Sequence, residues 1–320
     1  MAKPTVRVRI GFTANEFTLD DLVRGVLDTG QLGGAVTLTD VTTDVQSVSV
    51  NRGRSRDLDS FSTGFASVRL LNNARKYENT NTSSPYSPGI EPLIVLHVDA
   101  TTDGGSNYED IFVGFVTDIG LSYPDSSNSF ADFSASDGFM KLANTALINA
   151  SFGSQTSGAL VSSVLDNANV KYSTNRNIET GVSTMQSLSG ISDNTLTVLQ
   201  QIERSENGLL FMDRSGTLQF KSRHTTFPST PSATFSDDGS DVPYLQVNYI
   251  NDDNEIYNIV NLTRVGGSAQ QAQDAGSQGK YLIRTLQRTG LFNDSDTEVL
   301  AAANFLLGKF KDAIIRFDDL

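Results

Sequence analysis

The chain has 320 residues, 37 acidic against 24 basic side chains, a formal charge of −13, two histidines, no cysteine and no tryptophan. That length holds two or three domains with real cores, and the lack of cysteine removes disulfides, thiolate metal sites and cysteine nucleophiles. The acidic balance argues against general phosphate-mediated nucleic-acid binding, and two histidines make an imidazole metal cage improbable.

Serine, threonine, asparagine, aspartate and glycine fill much of the remainder, the vocabulary of turns and strand edges, which predicts a β-rich protein. Met1-Ala2-Lys3-Pro4 leads straight into alternating residues without an apolar signal segment. No run approaches the roughly twenty apolar residues of a membrane helix.

Residues 5–12 (TVRVRIGF) set Val6, Val8 and Ile10 on one face and Arg7 and Arg9 on the other, as a half-buried strand does. Thr18-Leu19-Asp20-Asp21 leads into Leu22, Val23, Val26 and Leu27, a helical turn or a further strand. Residues 36–41 and 45–50 read as strands, after which the chain turns basic at Arg52, Arg54 and Arg56. Residues 65–70 alternate again, and residues 72–89 form a long polar loop without periodicity. Apolar strands follow at 93–98 and 111–119, split by the turn Asp103-Gly104-Gly105, and another alternates over 130–136. Asp137 opens a short helix, where an N-terminal cap explains it. His97, in an apolar strand, reads as a hydrogen-bonded core or edge residue; His224 sits in a polar loop.

From Ser151 the pattern becomes helical. Leu160, Val161, Val164, Leu165 and Ala168 share one face. A second helix starts at Ser192-Asp193, carries Leu196, Leu199 and Ile202, and stops at Gly208. A hairpin follows, with Asp213-Arg214-Ser215-Gly216 as a simple turn. Residues 227–242, rich in proline, serine and aspartate, read as a boundary. Strand patterns return at 244–247, 256–265 and 281–286, and Ser295-x-x-Glu298 is a capping box ahead of a last helix. Residues 314–320 form one strand without a following partner. The reading expects either that the chain continues or that another segment or subunit pairs with this strand.

Catalytic signatures do not emerge. Gly276-Ser277-Gln278-Gly279-Lys280-Tyr281 has the wrong spacing for a P-loop, G-x-S-x-G does not occur, and the acidic turns at 237–239 and 251–254 lack EF-hand order. No enzyme activity and no cofactor are expected.

The ordered set from residue 48 to 125 says more. Arg52-Gly53-Arg54, Asp57-Leu58-Asp59, Ala66-Ser67-Val68-Arg69-Leu70, Asn72-Asn73, Ser84-Pro85-Tyr86-Ser87-Pro88, Glu91-Pro92-Leu93 and Phe112-Val113-Gly114-Phe115-Val116 resemble, in that order, the N-terminal domain of phage tail hub proteins. Asn79 stands where that pattern has a proline, and no tryptophan follows Val116.

The resemblance implies a mainly β (α+β) fold of two tail-tube-like β-barrel domains with a small α/β insertion between them. The expected boundaries are 1–150, 151–235 and 236–320, the last incomplete at its C-terminus. It implies a homotrimeric ring at the virion tail tip, between a distal tail or tail tube protein above and a fibre or spike protein below. DNA would pass through the lumen without specific binding. Arg52, Arg54, Arg56, Pro85, Tyr86, Pro88 and Arg284 are the expected contact residues. The rival readings are a carbohydrate-binding or adhesin-type β-protein and a tail-associated cell-wall hydrolase.

Overall fold

The structure, a computed structural model, describes residues 4–12, 38–125, 128–172, 175–226, 234–236, 238, 240–243, 246–251, 253–313 and 315–318. The segment expected as a helical turn or strand around residues 18–27 lies outside these, as do parts of the 227–242 boundary and the 251–254 turn. The architecture is mainly β, as expected. The chain forms two compact units: Met1–Leu142 with Thr174–Arg176 and Phe211–Gln219, and the remainder.

The first unit is built on seven strands: β1 (Thr5–Ile10), β2 (Thr39–Asp40), β3 (Val45–Asn51), β4 (Phe65–Leu71), β5 (Val95–Thr101), β6 (Glu109–Ser122) and β7 (Phe130–Ser136). Their order is β2-β1-β5-β6-β7-β4-β3, so β2 and β3 stand at opposite edges. Laid flat, six strand spacings would separate those edges by about 29 Å. Yet the five steps from Asp40 to Val45 reach at most about 18 Å. The sheet therefore rolls up.

The connection is pinned where the edges meet. Val41 N donates to Val8 O at 2.9 Å, Val8 N donates to Thr42 Oγ1 at 3.0 Å, and the Tyr77 hydroxyl donates to Asp44 at 2.5 Å. The rolled sheet encloses one core, drawing Val8 and Ile10, Leu96 and Val98, Phe112 and Val116, Phe133, and Val68 and Leu70 from its strands.

The alternation seen in the sequence sets the register. β4 and β7 pair Ala66 with Ala135, Val68 with Phe133 and Leu70 with Ala131, all inward. β6 is 14 residues long and bends, its first half pairing with β5 and its second with β7. Gly114 lies at the change of partner. A Cβ there would sit 2.6 Å from Ser136 O and from the Phe112 ring. No side chain fits.

The long loop after β4 is ordered by turns and sends Tyr77 wholly into the core, edge-on to Phe133 at 6.0 Å. Asn72, itself buried, accepts Tyr77 N, and Ser84 Oγ donates to Lys76 O at 2.5 Å. Tyr86 stacks between Phe12 at 4.2 Å and Tyr77 at 5.4 Å. The Ser87–Pro88 peptide is cis.

Asp137 leads into α1 (Phe139–Ala143) and does more than cap it. One oxygen accepts Phe139 N at 3.0 Å and the other accepts Gly64 N at 2.6 Å, tying the helix to β4.

In the second unit, α2 (Ser157–Leu165) and α3 (Thr195–Glu206) pack together as the apolar faces predict. The cap of α3 is Asn194, two residues beyond Ser192, and its stop is Asn207 in the left-handed region rather than Gly208. Strand Ile259–Arg264 pairs antiparallel with Gln270–Gln273 and parallel with Thr285–Leu291, and helix Asp296–Phe310 packs on that sheet. Half of the expected capping box forms. Ser295 accepts Glu298 N, but the Glu298 carboxylate turns away to accept Thr184 N at 3.1 Å.

The strand expected from Tyr281 starts at Thr285, because Asp274 caps a helix over Ala275–Tyr281. Asn258 holds the junction, donating to Leu282 O and accepting Arg284 N. The final strand Ile315–Asp318 pairs antiparallel with Asn248–Asn251, so a segment of this same chain supplies its partner.

Two predictions follow from the barrel. Gly114→Ala forces the β6 bend open and lowers the unfolding free energy by about 1–3 kcal/mol in a urea titration; an unchanged midpoint contradicts the close approach. Burial pushes the Asp137 carboxyl up to about 6, against its two N–H donors and Arg52. Its charge therefore costs stability above that pH and the cost is relieved as pH falls toward 3.8. Between pH 7.5 and 4.5 the native chain gains about 2 kcal/mol relative to Asp137→Asn; a flat difference contradicts this.

Candidate functional site

The first unit carries a polar ladder on the outward face of β1, β5 and β6. Strand alternation turns Arg7 and Arg9 outward, and the antiparallel register sets Arg7 opposite Asp99 and Arg9 opposite His97. Arg7 grips Asp99 with two bonds, 2.9 and 2.7 Å, while Arg9 reaches the same carboxylate at 2.5 Å. The Arg7 guanidinium also lies 3.8 Å over the Tyr108 ring. Asp99 is 1 % exposed. Burial alone would raise its carboxyl, but Arg7 and Arg9 together hold it below the usual carboxylate range.

His97 completes the ladder. Its Nδ1 lies 3.0 Å from the Arg9 guanidinium, which has only protons to offer, so Nδ1 accepts and Nε2 carries the hydrogen. Nε2 then donates to Asp110 at 2.6 Å. His97, in its strand, is thus a hydrogen-bonded residue, as expected, with partners on both neighbouring strands.

His97, Asp99 and Asp110 bring ligand-type atoms within 4.8 Å of one another. A cation placed there would face two guanidiniums that already occupy Asp99 and His97 Nδ1, in a cluster whose two positive and two negative charges cancel. The chemistry of the donor set fits an ion-pair ladder.

Beside the ladder lies a cavity of about 700 Å³. Three stretches of the first unit enclose it: Arg52, Gly53 and Phe61 after β3, Tyr108 to Asp110 at the start of β6, and Phe211 to Ser215. The last stretch is more than the simple turn its sequence suggests. Asp213 Oδ1 accepts Ser215 N and Thr217 N, both at 2.9 Å, which closes the turn. Gly216, at φ +77°, lets the tip lie on Val113, where a Cβ would sit 3.1 Å from that side chain. Arg214 pairs with Glu109 at 2.5 Å, and Phe211 lies 5.1 Å from Phe61.

The expected contact residues fall in different settings. Arg52 and Arg56 are exposed, while Arg54 is half-buried, pairs with Asp57 and lies 5.3 Å over Phe61. Pro85 and Pro88 are exposed, flanking a half-buried Tyr86 held in the aromatic stack. Arg284, in the second unit, binds Asp253 through its backbone oxygen and carboxylate, so it fastens its own unit. Of these seven, only Arg52 lines the cavity. The sequence did not single out the ladder or the 211–215 wall. Arg7 and Arg9 on one strand face were a visible signal for the ladder; nothing local signals the wall.

Neither family models nor curated protein sequences match the chain. Solved structures do. The 43 kDa tail protein of prophage MuSo2 from Shewanella oneidensis aligns at a TM-score of 0.56 and 12 % identity, over 98 % of this chain and 82 % of that one. The tail protein from Neisseria meningitidis MC58 aligns at 0.54 and 11 % identity, over 96 % and 76 %. This chain has the fold of phage tail proteins, in agreement with the resemblance drawn from residues 48–125.

Asp99→Asn leaves Arg7 and Arg9 facing each other without their buried counter-ion. The expected loss is about 3 kcal/mol by chemical denaturation, whereas Asp132→Asn, which breaks the exposed pair with Arg69, costs a small fraction of that. Equal losses contradict the ladder's role.

Proposed function

We propose that the chain is a structural subunit of a phage tail, forming a trimeric hub ring at the tail tip. The ring joins a distal tail or tail tube protein on one side to a fibre or spike protein on the other and leaves a channel for DNA. The observation that carries this reading is the closed seven-stranded barrel bearing the ordered 48–125 segments, in a chain that matches tail-protein folds over nearly its whole length.

The chemistry agrees with a role in assembly and not in catalysis. The titratable groups of the ladder neutralise one another, and a chain of charge −13 suits a lumen that repels passing DNA. The exposed arginines at 52 and 56 and the prolines at 85 and 88 suit contact with neighbouring tail proteins. Within this reading, residues 1–150 and 236–320 are the two ring-forming domains and 151–235 the insertion.

Size-exclusion chromatography with light scattering tests this. The purified chain is expected at three times its 34.5 kDa mass, and with its distal tail partner at that mass plus the partner's. A stable monomer under both conditions contradicts it.

A further inference from the structure

The cavity beside the ladder has a charge arrangement that the ring alone does not require. Its acids are already engaged: Glu109 with Arg214, Asp110 with His97, and Asp213 with the donors of its own turn and with Gln219 at 2.8 Å. Arg52 stands apart. It lines the cavity, it is exposed, and among the described residues no carboxylate is hydrogen-bonded to it. Its electrostatic neighbour is Asp137, which is buried and spends both oxygens on Gly64 N and Phe139 N. Around Arg52 the walls are apolar and aromatic, from Phe61, Phe211 and Met212, with Tyr108 alongside.

An exposed guanidinium with no carboxylate hydrogen-bonded to it, beside an aromatic slot in a wall whose acids are satisfied, selects a carboxylate next to an apolar side chain. Sugars would need hydroxyl partners that these engaged acids do not offer. Phosphate chains would need several uncommitted cations, and of the two arginines lining the cavity Arg214 is already paired with Glu109.

We propose that this cavity is a docking site for an acidic–apolar segment of another tail protein, its carboxylate held by Arg52 and its apolar side chain lodged between Phe61, Phe211 and Met212. That the segment comes from a tail protein rests on the function proposed above; the recognition itself is a property of this one chain.

The test titrates N-acetyl-Asp-Phe-amide into the full isotope-labelled chain, followed by amide NMR. Saturable shifts are expected at residues 52, 61, 108 and 211–214. The N-acetyl-Asn-Phe-amide analogue and the Arg52→Gln variant each weaken binding about tenfold, while Arg56→Gln, outside the cavity, changes nothing. The Asn analogue acts on the native chain, so it decides the matter even where the Arg52 variant folds poorly. Absence of saturation at 10 mM, or equal affinity for the Asp and Asn probes, overturns the proposal. So does displacement of the probe by N-acetylglucosamine, which assigns the cavity to sugars. A monomeric chain that binds the probe contradicts the ring and leaves the cavity standing; a trimer that ignores it does the reverse.

Discussion

Everything in the first unit follows from a length constraint. Strands β2 and β3 stand at opposite edges of a seven-stranded sheet, yet residues 41–44 alone join them. A flat sheet cannot satisfy that connection, so the sheet rolls until its edges meet. Rolling creates one enclosed core and requires a strand that bends between two neighbours, the part β6 plays at Gly114. It also leaves the open end to be filled, which Tyr77 does from the long polar loop, anchored through Asp44 to the same short connection.

Closure explains what the outside of the barrel offers. A closed sheet has few free edges for pairing with neighbours, so recognition falls to side chains and loops. The ladder from Arg7 to Asp110 spends its charges internally and stiffens three neighbouring strands. The cavity next to it is assembled from stretches about 50 to 150 residues apart in sequence and keeps one guanidinium in reserve.

Where local rules apply, the structure was legible in the sequence. TVRVRI, FASVRLL and FADFSAS form strands as their alternation demands, with only Val6 at a strand end left exposed on the apolar face, and Ser295 caps the helix it precedes. The misses are tertiary. Tyr77 hides in a loop without periodicity because its burial depends on Phe133 and Asp44, remote in sequence. The strand start at Thr285 depends on Asn258 clamping Leu282 O and Arg284 N, just after a Leu282 whose φ of 62° no leucine pattern announces. The docking of Gly216 on Val113 joins residues about a hundred apart. Of the expected contact residues, Arg52 kept an open setting, whereas Arg284 found a partner in its own unit through Asp253.

The central claim is that this barrel is a structural part of a tail tip, and cryo-electron microscopy of the virus particle tests it most directly. The account predicts three copies of the barrel in a ring around a continuous lumen, with acidic side chains facing the channel. Particles whose tail tip contains no copy of the chain, or single copies off the axis, would contradict it.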